Sequence, residues 1–370
     1  MQYREFGKTG LKLSILGYGA MRLPPPDNWH FTDMQQAVPL MQRAMDLGVN
    51  YIDTAHVYPM SEQAVGLAIK GRRDKVIIST KNPVKENDPK RWRATLDESL
   101  RRLGIDRIDV LHLHDMSAVC FANVFQRDGL LKTVRKAQSE GLFTHLAFSC
   151  HDQPQNIIKL IQTGEFVSML VQYNYLDRRN EEAIALASQR GMGVAIMGPV
   201  AGGRLVGPGE HRAVADDLKV SPAAIALRFV LDNPDVDVTL SGMSAMDQVE
   251  ENCATAADFA GLTRAELARI EQLIQQKKGL ADLYCTGCGY CMPCPNGVDI
   301  PGVFLLRNYK AIYLHGPAGF QYNKLRAEGK GAEACAECGE CEEKCPQHIQ
   351  IASQLKEAHE TLTGKPIEKK

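Results

Sequence analysis

Eight short β-rich runs alternate with longer amphipathic stretches along the first three-quarters of this 370-residue chain. The runs are Leu13 to Tyr18, Asn50 to Thr54, Val76 to Thr80, Ile108 to His112, His145 to Ser149, Ser168 to Gln172, Gly193 to Met197 and Val236 to Ser241. Between them lie helical patterns such as PKRWRATLDESLRRLG (Pro89 to Gly104), with Pro at its start, Leu96, Leu100 and Leu103 along one stripe, and Gly at its end. Ser221 to Pro234 is another, with Ser as N-cap and Pro at the first helical position. Strand followed by helix, eight times over, predicts a parallel sheet that closes into a (β/α)8 TIM barrel. The competing open, doubly wound sheet requires a Gly-rich turn leading from the first strand into a helix. Here GYGAMRLP offers only Gly17 and Gly19 and runs into Pro24, Pro25 and Pro26.

A different pattern begins after the helical stretch Thr263 to Gly279. Eight of the eleven cysteines fall in two runs, CTGCGYCMPCP (Cys285, Cys288, Cys291, Cys294) and CAECGECEEKCP (Cys335, Cys338, Cys341, Cys345). Structural zinc takes two C-x2-C pairs held a dozen or more residues apart, whereas here three cysteines recur at consecutive x2 intervals in each run. The second run has the C-x2-C-x2-C-x3-C-P spacing of 4Fe-4S clusters, in which the fourth cysteine serves the other cluster. By that rule Cys285, Cys288, Cys291 and Cys345 hold one cluster, and Cys335, Cys338, Cys341 and Cys294 hold a second. The expected organisation is α/β: a barrel over residues 1–280, then a small helical and loop-rich 4Fe-4S domain over residues 281–370.

Composition limits the function classes. A net charge of -1 with a pI near 6.8 gives no reason to expect nucleic acid or an anionic membrane as partner. No apolar run reaches membrane-spanning length, and the polar, acid-containing start MQYREFGKTG lacks the features of a signal or transit peptide. A cytoplasmic enzyme is expected, with thiols kept reduced and available to iron.

Catalytic groups in such a barrel sit where the strands end at their C-terminal face. Asp53 ends the second run, Tyr58 follows it in the loop, Lys81 follows the third run and His114 follows the fourth. Asp, Tyr, Lys and His at one mouth make a proton-transfer set: Tyr58 protonates an alkoxide forming from a carbonyl, Asp53 holds Lys81, and His114 orients the carbonyl oxygen. The Lys81 ammonium is expected to bring the Tyr58 phenol down from about 10 toward working pH.

The order and spacing of GYGAMR (Gly17 to Arg22), DTAHVYPMSEQAVG (Asp53 to Gly66), ISTKNP (Ile78 to Pro83), DVLHLHD (Asp109 to Asp115), VQYNYL (Val171 to Leu176) and GMSAMDQVEEN (Gly242 to Asn252) resemble those of aldo-keto reductases. The cysteine tail resembles a bacterial-type ferredoxin, and the combination resembles a ferredoxin-containing branch of those reductases. The resemblance implies that Asp53, Tyr58, Lys81 and His114 form the catalytic tetrad. It further implies a nicotinamide dinucleotide lying across the mouth near Ser149, Gln172, Met197, Gly198, Gly242, Ser244, Gln248 and Asn252. Three positions depart from the family pattern. Ser149 is followed by Cys150 where Asn is usual, and Met197 stands where an aromatic residue often stacks. Segment 242–248 contains no cation and one acid, Asp247. A 2′-phosphate requires charge-assisted partners, so NAD(H) is expected in preference to NADP(H).

The remaining candidates are read conservatively. Cys120 and Cys253 are expected to be packed thiols, and Cys150 to line the site or to pack. His56 is expected to face the substrate, His112 to point into packing and His151 to contact phosphate. The expected function is reduction of a small-molecule carbonyl, with two 4Fe-4S clusters as a redox module. The alternative is an electron-transfer protein whose clusters relay electrons between a protein partner and a group at the barrel mouth.

Overall fold

The computed structural model describes residues 1–25, 32–175, 177–200, 205–206, 215, 219–278, 291–311, 317–345 and 349–367. It divides into two compact units, Met1–Gly202 with Ala223–Leu262, and Gly203–Pro222 with Thr263–Lys370. The boundary expected near Leu280 lies outside the described residues.

The first unit is the barrel. A hairpin of β1 (Tyr3–Glu5) and β2 (Lys12–Ser14) precedes eight parallel strands: β3 (Leu16–Gly19), β4 (Tyr51–Asp53), β5 (Ile77–Asn82), β6 (Ile108–Leu113), β7 (Phe143–Cys150), β8 (Ser168–Gln172), β9 (Gly193–Met197) and β10 (Val238–Ser241). They close in the order β10-β3-β4-β5-β6-β7-β8-β9. The intervening helices are α1 (Met34–Asp46), α2 (Ser61–Ala68), α3 (Pro89–Leu103), α4 (Leu130–Ser139), α5 (Pro154–Gln162), α6 (Glu181–Gln189), α7 (Pro222–Asp232) and α8 (Met246–Ala257).

All eight expected runs become barrel strands, with one correction. Leu13 to Tyr18 is not one strand: its start belongs to the β1–β2 hairpin, and only the part from Leu16 enters the barrel. Between hairpin and barrel the Ser14 hydroxyl donates to Leu16 O, 2.7 Å away. The hairpin carries Phe6 into a core with Leu13, Tyr51, Val110, Ala147, Leu170, Ala195 and Val238. Gly193 accommodates it, since a Cβ there would lie 2.6 Å from the Phe6 ring.

Local chemistry sets the helix bounds. In α3 the Asp88 carboxylate caps the Arg91 N–H at 2.9 Å, Pro89 takes the first turn, and Gly104 at φ +65 ends the helix in the left-handed conformation. Trp92, Leu96, Leu100 and Leu103 form its buried stripe.

The second unit contains α9 (Arg264–Lys278), α10 (Ile300–Ala311), α11 (Pro317–Ala327), α12 (Glu340–Glu343) and α13 (Ile351–Thr363). Its core gathers Val298, Val303, Phe304, Tyr322, Leu355 and Leu362, with Cys291 buried in it and Cys294, Cys335, Cys341 and Cys345 packed against it. Among the described residues, no helix is long and apolar enough to cross a membrane.

Candidate active site and cluster site

Strand register brings the tetrad together. Asp53 on β4 lies opposite Ser79 on β5, and Lys81 lies opposite His112 on β6. Alternation along β5 then splits its side chains. Ser79 and Lys81 turn to Asp53, whereas Thr80 turns the other way, to Glu62 of α2. Lys81 is 1 % exposed, ion-paired to Asp53 Oδ2 and donating to Thr54 O at 2.7 Å. The Ser79 hydroxyl donates to the other Asp53 oxygen at 2.8 Å. The Lys81 ammonium also hydrogen-bonds Tyr58 and stands 5.1 Å from the centre of its ring. Tyr58 and His114 meet edge to face, ring centres 6.0 Å apart.

Burial opposes the Lys81 charge, but Asp53 and Tyr58 together outweigh it and hold the ammonium above its ordinary value. The expectation for Tyr58 needs correction. Burial raises its phenol, Lys81 lowers it and Asp53 raises it again, and the net direction is upward. The ammonium is there, but its field is partly cancelled by the carboxylate it is paired with. His114 is pulled down to about 3, by burial first and then by Lys81, so it is a neutral imidazole at working pH. Its buried Nδ1 has no hydrogen-bond partner among the described residues. His112 is buried in the barrel interior, as expected, and pulled down to about 4 by burial.

The other candidates divide. Ser149 Oγ accepts from the Asp115 N–H at 2.8 Å, which leaves the hydroxyl hydrogen to donate elsewhere. Gln172 and Met197 end β8 and β9 side by side. Gly198, at φ +67, lies so close to Gln172 that a Cβ there would be 2.6 Å from its amide. Gly242 follows β10, and Ser244 N–H donates to Gln248 Oε1 at 2.8 Å. Asn252 donates to Ser241 Oγ at 3.2 Å, and its buried Oδ1 has no partner among the described residues. Helix α8 begins in this segment with no side-chain cap, an end suited to phosphate, although Asp247 occupies its first turn. A Cβ on Gly242 would lie 3.6 Å from Arg22 Cβ, so the side chain of a basic residue outside segment 242–248 starts beside it. The signal was present in GYGAMR.

One further expectation changes, and one that held two alternatives is narrowed to packing. His56 does not turn to the mouth: its Nδ1 lies 3.3 Å from Ser99 Oγ on α3 and 3.9 Å from Glu62 Oε2. Cys150 packs, buried and pushed up to about 12 by burial, with the Asp152 N–H donating to its sulfur. Cys253 is likewise buried and pushed up to about 11. His151 lies within electrostatic reach of Asp115, Arg179, Lys81 and Lys85.

In the second unit Cys294, Cys335, Cys338 and Cys341 line one small cavity with Pro295, Ile300 and Leu355. This is the set expected to share a cluster, with Cys294 contributed by the other run. Among the described residues, no three Cys, His or carboxylate side chains converge as a single ion requires. Four thiols lining one cavity are the kind of donor set that a 4Fe-4S cluster takes. Cys291 and Cys345 are described apart from that cavity, and Cys285 and Cys288 lie outside the described residues.

The sequence matches the Aldo/keto reductase family over residues 15–275 and the 4Fe-4S dicluster domain over residues 282–349. It is 28% identical to L-galactose dehydrogenase of Arabidopsis thaliana over 76% of this chain and 96% of that protein. It is 25% identical to pyridoxine 4-dehydrogenase of Escherichia coli over 65% of this chain and 88% of that protein. Among solved structures, the holo form of an aldo-keto reductase from Bacillus halodurans aligns with a TM-score of 0.64 at 29% identity, over 74% of this chain and 96% of that one. The chain therefore belongs to the aldo/keto reductase family, an oxidoreductase fold here joined to a 4Fe-4S dicluster domain.

Proposed function

We propose that the barrel reduces a small-molecule carbonyl, with Tyr58 as proton donor and NADH as the preferred nicotinamide. The observation that carries this reading is the Lys81 ammonium, buried, ion-paired to Asp53 and hydrogen-bonded to Tyr58. A bound dihydronicotinamide supplies the hydride that reduces the carbonyl carbon. The carbonyl π pair then resides on oxygen, and Tyr58 delivers the proton that completes the alcohol. A raised phenol suits this direction: it is protonated at working pH, and an alkoxide is the stronger base. Neutral His114 serves as a hydrogen-bonding group that orients the oxygen and carries no charge of its own. The residues that would hold the nicotinamide are Ser149, Gln172, Met197 and Gly198. Gly242, Ser244, Gln248 and Asn252, with Arg22 beside Gly242, would hold the diphosphate side. Asp247 in the first turn of α8 favours NADH, because a 2′-phosphate there would meet a carboxylate.

The eight cysteines would hold two 4Fe-4S clusters as a redox module. Tyr58→Phe should abolish carbonyl reduction while leaving the cluster absorbance unchanged, and retained turnover would overturn the assignment. Equilibrium titration with both nicotinamides checks the preference, which a tighter NADPH complex would reverse. Reduction driven by dithionite without any nicotinamide would instead favour the electron-relay alternative.

A further inference from the structure

Behind the Lys81–Asp53 pair lies a second charge pair that no step of the proposed reaction uses. Glu62, in the first turn of α2, is fully buried, a costly place for a carboxylate unless partners hold it. Its Oε1 accepts from Thr80 Oγ1 at 2.7 Å, and its Oε2 faces Arg102 Nη1 of α3 at 3.5 Å. The same Arg102 nitrogen donates to the main-chain carbonyl of His56 at 3.0 Å, and Arg102 Nε is anchored on Glu98 at 2.9 Å. His56 N–H in turn donates to Lys81 O at 3.2 Å. The loop carrying Tyr58 is thus gripped two residues upstream from both sides, by the Lys81 main chain and by Arg102.

We infer that Arg102 and Glu62 are positioning residues, a clamp outside the barrel that sets the height of Tyr58 against Lys81; this rests on the proposed role of Tyr58 as the acid. The geometry separates the two layers cleanly. Thr80 and Lys81 are neighbours on β5 facing opposite ways, so one strand ties the outer pair to the inner one. The buried carboxylate fixes Arg102, Arg102 fixes the His56 carbonyl, and Tyr58 follows two residues on. The guanidinium is needed because one head must reach Glu98, Glu62 and the His56 carbonyl together, which an ammonium cannot do with fixed geometry.

The test is single-turnover reduction of 4-nitrobenzaldehyde by the full-length, cluster-loaded enzyme saturated with NADH, in Arg102→Gln, Arg102→Lys, Glu62→Gln and Tyr58→Phe. For Arg102→Gln the rate constant should fall about tenfold to a hundredfold, as displacement of a reacting group by about 1 Å produces. The burst amplitude and the NADH Kd should stay within about twofold of wild type, and Arg102→Lys should recover part of the rate. A purely structural role would lower amplitude instead of rate. A rate constant within twofold of wild type, or a loss confined to amplitude or Kd, overturns the clamp. If Arg102→Gln fails to fold, Arg102→Lys and Glu62→Gln are held to the same criteria. Tyr58→Phe separates the two levels: if it retains turnover, the acid assignment falls and the clamp with it; if it is dead while the Arg102 and Glu62 variants are unaffected, only the clamp falls.

Discussion

Replacing Lys81 with Met removes a buried charge from the C-terminal end of β5 while keeping most of its hydrocarbon. Lys81 is 1 % exposed and Asp53 3 % exposed, so the substitution strands a carboxylate where water cannot reach it. Among the described residues, Asp53 then keeps one side-chain donor, the Ser79 hydroxyl at 2.8 Å, and Thr54 O loses its donor at 2.7 Å. Breaking one side of a buried pair costs about 3–5 kcal/mol, whereas removing both sides is often close to neutral. Lys81→Met should therefore destabilise the barrel by about 3–5 kcal/mol, and Lys81→Met with Asp53→Asn should recover at least about 2 kcal/mol of that loss. Both proteins should be inactive. Urea unfolding followed by tryptophan fluorescence reports on the barrel, because Trp92, one of the chain's two tryptophans, is buried on α3. The single variant carries a further signature. An unpaired buried carboxylate has its folded pKa raised, so the folded state binds the extra proton and stability falls as pH rises from about 4 toward that raised value. A single variant within about 1 kcal/mol of wild type, or a double variant as unstable as the single, would refute the view that this ion pair acts as a desolvated unit.

Cys294→Ala should remove about half of the bound iron and one of two cluster signals in electron paramagnetic resonance, because Cys294 shares a cavity with Cys335, Cys338 and Cys341; undiminished iron would show that Cys294 is not a ligand. The histidines set a pH window for the barrel. With His112 held at about 4 in the folded state against about 6.5 unfolded, the unfolded state takes up the proton first as pH falls. Its contribution is complete above pH 6.5 and is lost between about 6.5 and 4, about 3 kcal/mol in all, which the urea midpoint at pH 7 and pH 5 should register. For the same reason His114, at about 3, should produce no limb near 6.5 in the pH profile of kcat/KM.

What could be read in advance follows from how far each feature depends on distant parts of the chain. The eight barrel strands were legible because a strand buried on both faces is a continuous apolar run, as at Ser168–Gln172 and Gly193–Met197. The β1–β2 hairpin was not, because three-residue strands carry no periodicity, and Phe6 declares its role only once Gly193 is beside it. That Asp53, Tyr58, Lys81 and His114 come together was legible from their places at or just after strand ends. Arg102 was not: it lies 46 residues from the His56 carbonyl it holds, on a helix whose pattern explains its charge as a solvated face. His56 misled for the complementary reason, since its position between Asp53 and Tyr58 says nothing about which side of the loop its ring takes.

The acidity of Tyr58 shows where residue-level reasoning stops. An ammonium beside a phenol lowers its pKa, and a sequence containing Lys81 and Tyr58 supports that inference and no other. The fold adds two quantities that the sequence does not carry, the depth of Tyr58 and the closeness of Asp53 to the same ammonium. Burial penalises the phenolate outright, while Asp53 both neutralises part of the lysine's field and adds its own negative charge. The sum leaves Tyr58 protonated, and under the proposed role that would make it an acid suited to reduction and a poor base for the reverse oxidation. Oxidation of the matching alcohol should therefore accelerate with rising pH as the phenolate becomes populated, while reduction should stay flat until the same alkaline limb. A site whose reduction rate declined from neutral pH upward would place the Tyr58 phenol below its ordinary value, and would mean that the ammonium outweighs burial after all.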